Sequence, residues 1–328
     1  SILRKKGHSV KIYVPVIPYR FGYQLKNFKA SFWQLHGILS NLIKGPFVYL
    51  PPEKYSISFI PWISDLFIKE PDVIVATAWP TAFSVFQMKF SKAEKYYFIQ
   101  GYEIYTGPKE KIIASYNLPL NKIVLSSWLT NIMIDKYCNK KIYKVNNGID
   151  INFFSNSEKE YHDNPQILMH YSPYPWKGGD DGLQILTYIK KKYPKVKIVT
   201  FGRKKVKTLP LNFNYHVNPS KHLLKKLYCQ SDIFLFTSKS EGSPLPPLEA
   251  MACKCALVGT KVGAVPEYAE NLISALLYEP DDIDALKNGV ELLIQNLDLR
   301  KKISLEGEKA AKKMSIEDAV NEFEVAIS

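Results

Sequence analysis

The chain is expected to be an α/β protein built from two parallel-sheet domains. Short β-rich runs alternate with helix-period segments along its whole length, the pattern of repeated βαβ units. Its 328 residues are enough for two domains of ordinary size. A polar stretch, SNSEKEYHDNP at 155–165, separates the alternation into two halves and reads as a linker. The expected division is an N-terminal domain over 1–154, a C-terminal domain over 155–315 and a final helix over 316–328.

The elements follow in order. In the first half, β-branched and aromatic runs place strands near 9–15, 47–51, 72–78, 95–101, 122–127 and 142–148. In the second half they fall near 166–172, 196–202, 232–238, 255–260 and 274–280. The tail predicts helices at about 282–296, 299–313 and 316–328. No internal repeat or low-complexity tract interrupts this order.

Composition narrows the class. With 46% hydrophobic and 23% charged residues, the chain can bury a large core, and disorder is excluded. No apolar run reaches the roughly 18 residues of a membrane span, and no signal peptide is read. Four cysteines (138, 229, 253, 255) are too few and too scattered for a disulfide framework, which fits a reducing, cytoplasmic location.

The net charge of +13 is lopsided: +11 over residues 1–150 and +2 over the remainder. A basic half suggests an anionic partner, whether a membrane surface, a lipid-phosphate acceptor or a nucleic acid. No nucleic-acid-binding motif accompanies the charge. The aromatic stretch 28–45, with Lys26, Lys29 and Lys44 nearby, fits a helix lying on an anionic membrane. It equally fits an ordinary helix packed on a sheet.

The segment most loaded with chemistry is EGSPLPPLE at 241–249. It sets Glu241 and Glu249 eight positions apart around a Gly–Ser–Pro turn, after the strand run DIFLFTS and before the helix run PLEAMAC. Loops at the carboxyl ends of strands in open α/β sheets bind ligands. The following helix offers free N–H groups and a positive dipole end to a phosphate. Pro246 and Pro247 suit a first helical turn, with Glu249 inside that turn and able to accept two hydrogen bonds from a vicinal diol such as a ribose.

The stretch EGSPLPPLEAMACKCALVGTKVGAVPEYAE (241–270) resembles the donor-binding signature of retaining glycosyltransferases of the GT-B fold, family 4 (glycosyl transferases group 1). That signature is E-x7-E, an apolar helix, a strand and a Gly-rich turn ending in Pro–Glu. NNGID at 146–150 followed by Phe153 matches the family's end of the first domain, and Leu3, Gly7, His8 and Val10 match the close of its first helix. The resemblance implies a first βα unit of about 20 residues ahead of residue 1. It also implies two Rossmann-like domains facing a cleft, with the last helix crossing back to the first domain.

What the resemblance implies for single residues is specific. Lys177 and Gly178 stand where a Lys–Gly pair meets the donor diphosphate, but Ser172–Pro173 occupies the usual Gly–Arg position, so Arg203 is the substitute cation. Gly242, Ser243 and Leu245 can present backbone N–H groups to phosphate or sugar, whereas Pro244 has none. Glu241 would face the transferred sugar and stabilise the positive charge that develops at its anomeric carbon, while Glu249 would hold the ribose. On the acceptor side, YFIQGYEIYTGP (97–108) has Gln100 where many members carry a histidine. This segment is closer to a rhamnosyltransferase branch, and Tyr102 and Glu103 become candidates for substrate contact, Glu103 as a general base.

Metal and redox signals are weak by contrast. Asp282–Ile283–Asp284 follows a turn and opens a helix, so capping explains it. The six histidines have no ligand spacing, and no G-x-G-x-x-G follows a strand. The expectation is a metal-independent transferase with no cofactor, a nucleotide sugar as donor and a glycan, glycolipid or lipid-linked acceptor at the inner face of a membrane. A catalytically degenerate sugar- or membrane-binding protein, and a nucleic-acid-binding protein, stay as alternatives.

Overall fold

The computed structural model describes residues 2–16, 56–104, 106–137, 141–204, 206 and 213–328. The expected strand at 47–51 and the stretch 28–45, with Lys26, Lys29 and Lys44, lie outside the described residues. The chain divides into two compact units. One comprises Ser1–Val124, Leu129–Val145 and Val320–Ser328; the other comprises Leu125–Trp128 and Asn146–Ala319.

The change of unit after Val145 comes ahead of the expected linker, and 155–165 lies inside the second unit. The reason is hydrogen bonding. Asn156 Nδ2 and Lys159 Nζ donate to the Cys229 carbonyl at 3.1 and 3.2 Å, so polar residues that read as solvated instead satisfy carbonyls at a helix end.

The first unit opens with α1 (Ile2–Lys5) and β1 (Lys11–Pro15), which pairs in parallel with β2 (Ser56–Ile60), a strand absent from the sequence reading. Then come β3 (Val73–Ala76), α2 (Trp79–Gln87), β4 (Glu94–Ile99), α3 (Lys109–Tyr116), β5 (Asn121–Val124), α4 (Ser127–Tyr137) and β6 (Ile142–Lys144). The last four of these strands form a parallel sheet in sequential order. Tyr96, Ile123 and Val145 pack with Phe323, Ala326 and Ile327, the aromatic rings of Phe98 and Phe323 lying 5.9 Å apart.

The second unit runs β7 (Gln166–His170), a 3-10 turn (Pro175–Lys177), α5 (Gly179–Lys192), β8 (Lys197–Gly202), β9 (Asn214–Val217), α6 (Lys221–Gln230) and β10 (Ile233–Phe236). It continues with α7 (Leu245–Ala252), β11 (Ala256–Thr260), α8 (Val265–Tyr268), β12 (Ala275–Tyr278), α9 (Ile283–Gln295) and α10 (Leu297–Lys312), and α11 (Ile316–Ile327) begins in it. The six strands are all parallel in the order β12-β11-β10-β7-β8-β9. Of these six strands, the edge strand β9 escaped the sequence reading; its NYHV is short, exposed at both ends and nowhere fully buried.

The sheet is buried on both faces, as parallel sheets are. Leu168, Phe234, Phe236 and Leu257 turn to one face with Tyr228, Leu248 and Met251 from α6 and α7. Ile167, Met169, Ile233, Leu235 and Val258 turn to the other with Ile185, Ile189, Val290 and Leu293 from α5 and α9. Each such side chain contributes about 1.5–3 kcal/mol on burial. Charges are sealed in this unit too, Asp232 and Arg300 among them: the Arg300 guanidinium, fully buried, donates to the carbonyls of Leu293 at 2.7 Å, Ile294 at 3.4 Å and His162. It thus satisfies the open carbonyls at the end of α9. At that helix's other end Asp282 accepts from the Ala285 N–H at 3.0 Å, the cap expected of it.

Candidate functional site

The strand order places a topological switch point between β7 and β10: from β7 the chain moves out to β8 and β9, then returns to the other side of β7. Ligands of open α/β sheets bind at the carboxyl ends of the strands at such a point. The two loops that leave there are 171–178, after β7, and 237–244, after β10. They are tied together by backbone: the N–H of Lys239 donates to the Trp176 carbonyl at 2.8 Å, and the Thr237 hydroxyl donates to the Gly178 carbonyl at 2.8 Å. Gly178 has φ of +58°, and a Cβ there would stand 1.9 Å from the Thr237 carbonyl oxygen. Only glycine lets the loops approach this closely.

Their apposition brings Lys177 and Glu241 together, with Nζ 2.6 Å from Oε1 and the side chains 29% and 13% exposed. The turn after Glu241 is braced from three sides. Asn147 Nδ2 donates to the Ser243 carbonyl at 2.8 Å, the Tyr268 hydroxyl to the Pro244 carbonyl at 3.3 Å, and the Ala264 N–H to the Gly242 carbonyl at 2.9 Å. In a trans peptide the N–H points opposite the carbonyl, so these bonds fix the directions of the Ser243 and Leu245 N–H groups. Gly263, at φ of +53°, is the brace's tight point: a Cβ would meet the Gly242 and Glu241 carbonyl oxygens at 2.4 and 2.5 Å.

Glu249 sits on α7, which begins at Leu245 because Pro244 is extended as its N-cap. Glu249 is therefore in the second turn, not the first as expected, and the first turn holds no acid. What positions its carboxylate is a neighbouring helix: the Tyr228 hydroxyl on α6 donates to Oε2 at 3.0 Å. Burial pushes the Glu249 carboxyl above the usual range, while the Tyr228 bond and the Lys221 charge oppose the rise. Lys221 itself stands 4.2 Å above the Phe153 ring centre and 3.4 Å from Asp150 Oδ2.

His170 feels both candidate cations. Burial brings the His170 imidazole, at the end of β7, down to about 4, and the charges of Lys177 and Arg203 add to that fall. Arg203 is exposed beyond the end of β8. The His170 ring lies 5.1 Å from that of Phe201.

The acceptor-side candidates lie in the first unit. Gln100 Nε2 donates to the Thr77 carbonyl at 3.3 Å. The Tyr102 and Tyr137 hydroxyls are 2.8 Å apart, and the Tyr102 ring stacks on Tyr116 with centres 5.9 Å apart. Glu103 donates its backbone N–H to the Tyr116 hydroxyl at 2.9 Å. Burial raises the Glu103 carboxyl, against a lowering hydrogen bond from the Trp79 backbone.

Tyr228, Asn147 and His170 are parts of this arrangement to which sequence reasoning gave no role, and Gly263, inside the quoted Gly-rich turn, gains its bracing role here. Asn147 lies in the quoted NNGID motif, where its turn chemistry hid its reach to Ser243. Tyr228 looks like any apolar residue on an amphipathic helix, and nothing in the local pattern marks it. Among the described residues no group of three or more His, Cys, Asp or Glu side chains is placed to hold a metal ion, and no helix is long and apolar enough to cross a membrane.

Comparison with known proteins covers much of the second unit. Residues 150–310 match the family model described as Glycosyl transferases group 1. N-acetyl-alpha-D-glucosaminyl L-malate synthase of Bacillus anthracis is 29% identical over 187 residues, 52% of this chain and 48% of that protein. The chain spans about half the length of the curated relatives it matches. Sucrose-phosphate synthase of Thermosynechococcus elongatus superposes with a TM-score of 0.71 at 12% identity, over 98% of this chain and 89% of that one. HepE of Anabaena, solved in complex with UDP-glucose, superposes with a TM-score of 0.64 at 17% identity, over 78% and 77% of the two chains. The fold is the α/β, parallel-sheet GT-B fold of these neighbours.

Proposed function

We propose that this chain, whose residues 150–310 match the Glycosyl transferases group 1 family model, is a glycosyltransferase that moves a sugar from a nucleoside diphosphate sugar to an acceptor hydroxyl with retention of configuration. The observation that carries the reading is the Lys177–Glu241 pair, 2.6 Å apart at the switch point, with Glu249 on the helix that follows, held by Tyr228. In this reading the donor diphosphate takes over Lys177, with Arg203 as the second cation, and receives the N–H groups of Gly242, Ser243 and Leu245. Glu241, released from Lys177, faces the sugar. A carboxylate placed where positive charge grows at the anomeric carbon is worth several kcal/mol, roughly, in a dry site. Glu249 accepts hydrogen bonds from the ribose hydroxyls.

The anomeric C–O bond to the diphosphate breaks as the acceptor oxygen bonds to the same face, and the departing phosphate oxygen takes the acceptor's proton. Gln100, Tyr102 and Glu103 serve the acceptor, and Glu103, its carboxyl raised by burial, is the alternative base. Lys177 and Arg203 do the work that a metal ion would otherwise do, and no cofactor enters. The acceptor class is a polysaccharide, glycolipid or lipid-linked glycan, met from the cytoplasmic side of a membrane that the basic first 150 residues, at +11, would favour.

The test is a thermal-shift panel of UDP, GDP, dTDP and ADP on the wild type and on Glu249→Ala. A nucleotide at about 100 times its Kd adds about 2.7 kcal/mol of stability. A shift with one nucleotide, lost in the variant, supports the donor site; no shift with any of the four overturns it. Ser172–Pro173, which puts no cation at the end of β7, favours a second reading: a donor-binding protein without turnover. Release of nucleoside diphosphate from the matching sugar donor separates the two.

A further inference from the structure

The loop after β7 carries two aromatic side chains besides Lys177. Tyr174 and Trp176 stack with ring centres 4.7 Å apart and planes 15° from parallel. Tyr174 is 49% exposed, and Pro173 and Pro175 on either side of it are exposed as well. Ordinary packing does not account for a ring held this far out, since an aromatic contributes to a fold by leaving water. Among the described residues no group accepts a hydrogen bond from the Tyr174 hydroxyl or the Trp176 indole N–H.

The pair is nevertheless rigid. Pro173 and Pro175 fix their own φ, and a residue before proline is driven to extended backbone, where Tyr174 stands at φ of −79° and ψ of 128°. The Tyr174 and Pro175 carbonyls accept from the N–H groups of Lys177 at 2.8 Å and Gly178 at 3.1 Å. The Trp176 carbonyl accepts from Lys239 at 2.8 Å and from Ser240 at 3.3 Å, and Ser240 directly precedes Glu241. A flat apolar surface fixed in advance loses little entropy when a ligand lies on it.

We infer that Tyr174 and Trp176 form a stacking platform for a pyranose ring, and its place at the sugar end of the site rests on the donor-site reading. A pyranose presents C–H groups on its faces and hydroxyls around its rim. That suits an aromatic face with a free polar handle at its edge. Location decides against a nucleobase, the other flat partner of an aromatic. The turn leads into α5, which packs on one face of the sheet, whereas Tyr228 and α7, which carries the ribose residue Glu249, pack on the other. The backbone of the platform is bonded next to Glu241, and Lys177, which follows Trp176, reaches Glu241 at 2.6 Å. The transferred sugar and a sugar of the acceptor share the C–H face that this platform takes.

The experiment measures Kd by calorimetry for UDP, GDP, dTDP and ADP and for UDP-glucose, GDP-mannose, dTDP-rhamnose and ADP-glucose, on the wild type, Tyr174→Ala and Tyr174→Phe. Saturation-transfer NMR follows the methyl α-glycosides of glucose, mannose, galactose and rhamnose on the same proteins, with and without nucleotide. If the transferred sugar lies on the platform, Tyr174→Ala binds the nucleotide sugar about fivefold more weakly and the nucleoside diphosphate as before. If a sugar of the acceptor lies there, both affinities hold, and the saturation of a glycoside's C–H protons seen with the wild type is lost in Tyr174→Ala. In either case Tyr174→Phe, which keeps the ring, stays close to the wild type. A loss in Tyr174→Phe equal to that in Tyr174→Ala assigns the effect to the hydroxyl and overturns stacking. Nucleoside diphosphate and nucleotide sugar weakened alike in Tyr174→Ala overturn the platform, since that pattern belongs to a nucleoside contact or a displaced Lys177. Tyr174→Ala matching the wild type in both measurements overturns it too. Failure of the wild type to bind any nucleotide overturns the donor-site reading. The glycosides without nucleotide then decide the platform, which stands on saturation that needs Tyr174 and falls without it.

Discussion

The Tyr228 hydroxyl donates to Glu249 Oε2 at 3.0 Å, joining two helices that the sequence separates by a whole strand and loop. One oxygen of a buried carboxylate is thereby held in place, and the orientation of the other follows. Tyr228→Phe keeps the ring in the core and removes only the donor. Nucleotide affinity is expected to fall about ten- to a hundredfold, the worth of a hydrogen bond to a charged group. Isothermal calorimetry checks this.

The same pair sets a pH dependence. The Glu249 carboxyl titrates above 4.5 in the folded chain because it is buried. The folded state then holds its proton more tightly than the unfolded chain does, so this group's contribution to stability is greatest at low pH and declines as pH rises from 4.5 through the raised value. Nucleotide binding runs the other way, since the ionised form accepts the ribose bonds, and strengthens over that window. The Tyr228 bond lowers the Glu249 value, so Tyr228→Phe moves the midpoint of the binding profile to higher pH.

Glu249→Ala removes the acceptor altogether and is expected to weaken nucleotide binding by about 1–3 kcal/mol. Unchanged affinity would show that the carboxylate does not touch the ribose.

Lys177→Met tests the cation. Losing its charge leaves Glu241 without the partner now 2.6 Å away and the diphosphate with Arg203 alone. The affinity for UDP should drop at least tenfold while that for uridine, which has no phosphate, changes little. Equal losses for both would place Lys177 in the fold rather than at the phosphates.

Glu103→Gln should lower kcat with the melting temperature unchanged, because the amide fills the same space as the half-buried carboxyl. Full turnover in this variant would remove Glu103 from the mechanism.

Arg300→Ala tests the core. Its guanidinium is the partner of carbonyls at the end of α9, and truncation strands them away from water. A loss of about 2–4 kcal/mol in urea unfolding is expected, with nucleotide binding unaffected in the remaining folded protein.

Local chemistry made much of this protein legible in one dimension. The runs DIFLFTS and CALVGT became β10 and β11, every residue of those strands buried, because a parallel strand covered on both faces must be apolar throughout. Asp282 read as a helix cap and is one, since a cap acts on the N–H three residues on. The segment 241–249 read as strand end, turn and helix start because glycine, serine and proline announce a turn by their own backbone preferences. Strand β9 stayed hidden for the converse reason: an edge strand of four residues, none fully buried, offers no continuous apolar run.

The sequence by itself therefore determined the α/β class, the place of the turn at 241–244 and the carboxylates around it. Tertiary structure alone decided who meets whom. Lys177 reaches Glu241 across 64 positions, Asn147 reaches Ser243 across 96, and Tyr228 reaches Glu249 from another helix. Those partners depend on the order β12-β11-β10-β7-β8-β9, which sets distant strand ends side by side. That order is a property of how apolar faces pack together, and periodicity along the chain reports which face is buried but not against what.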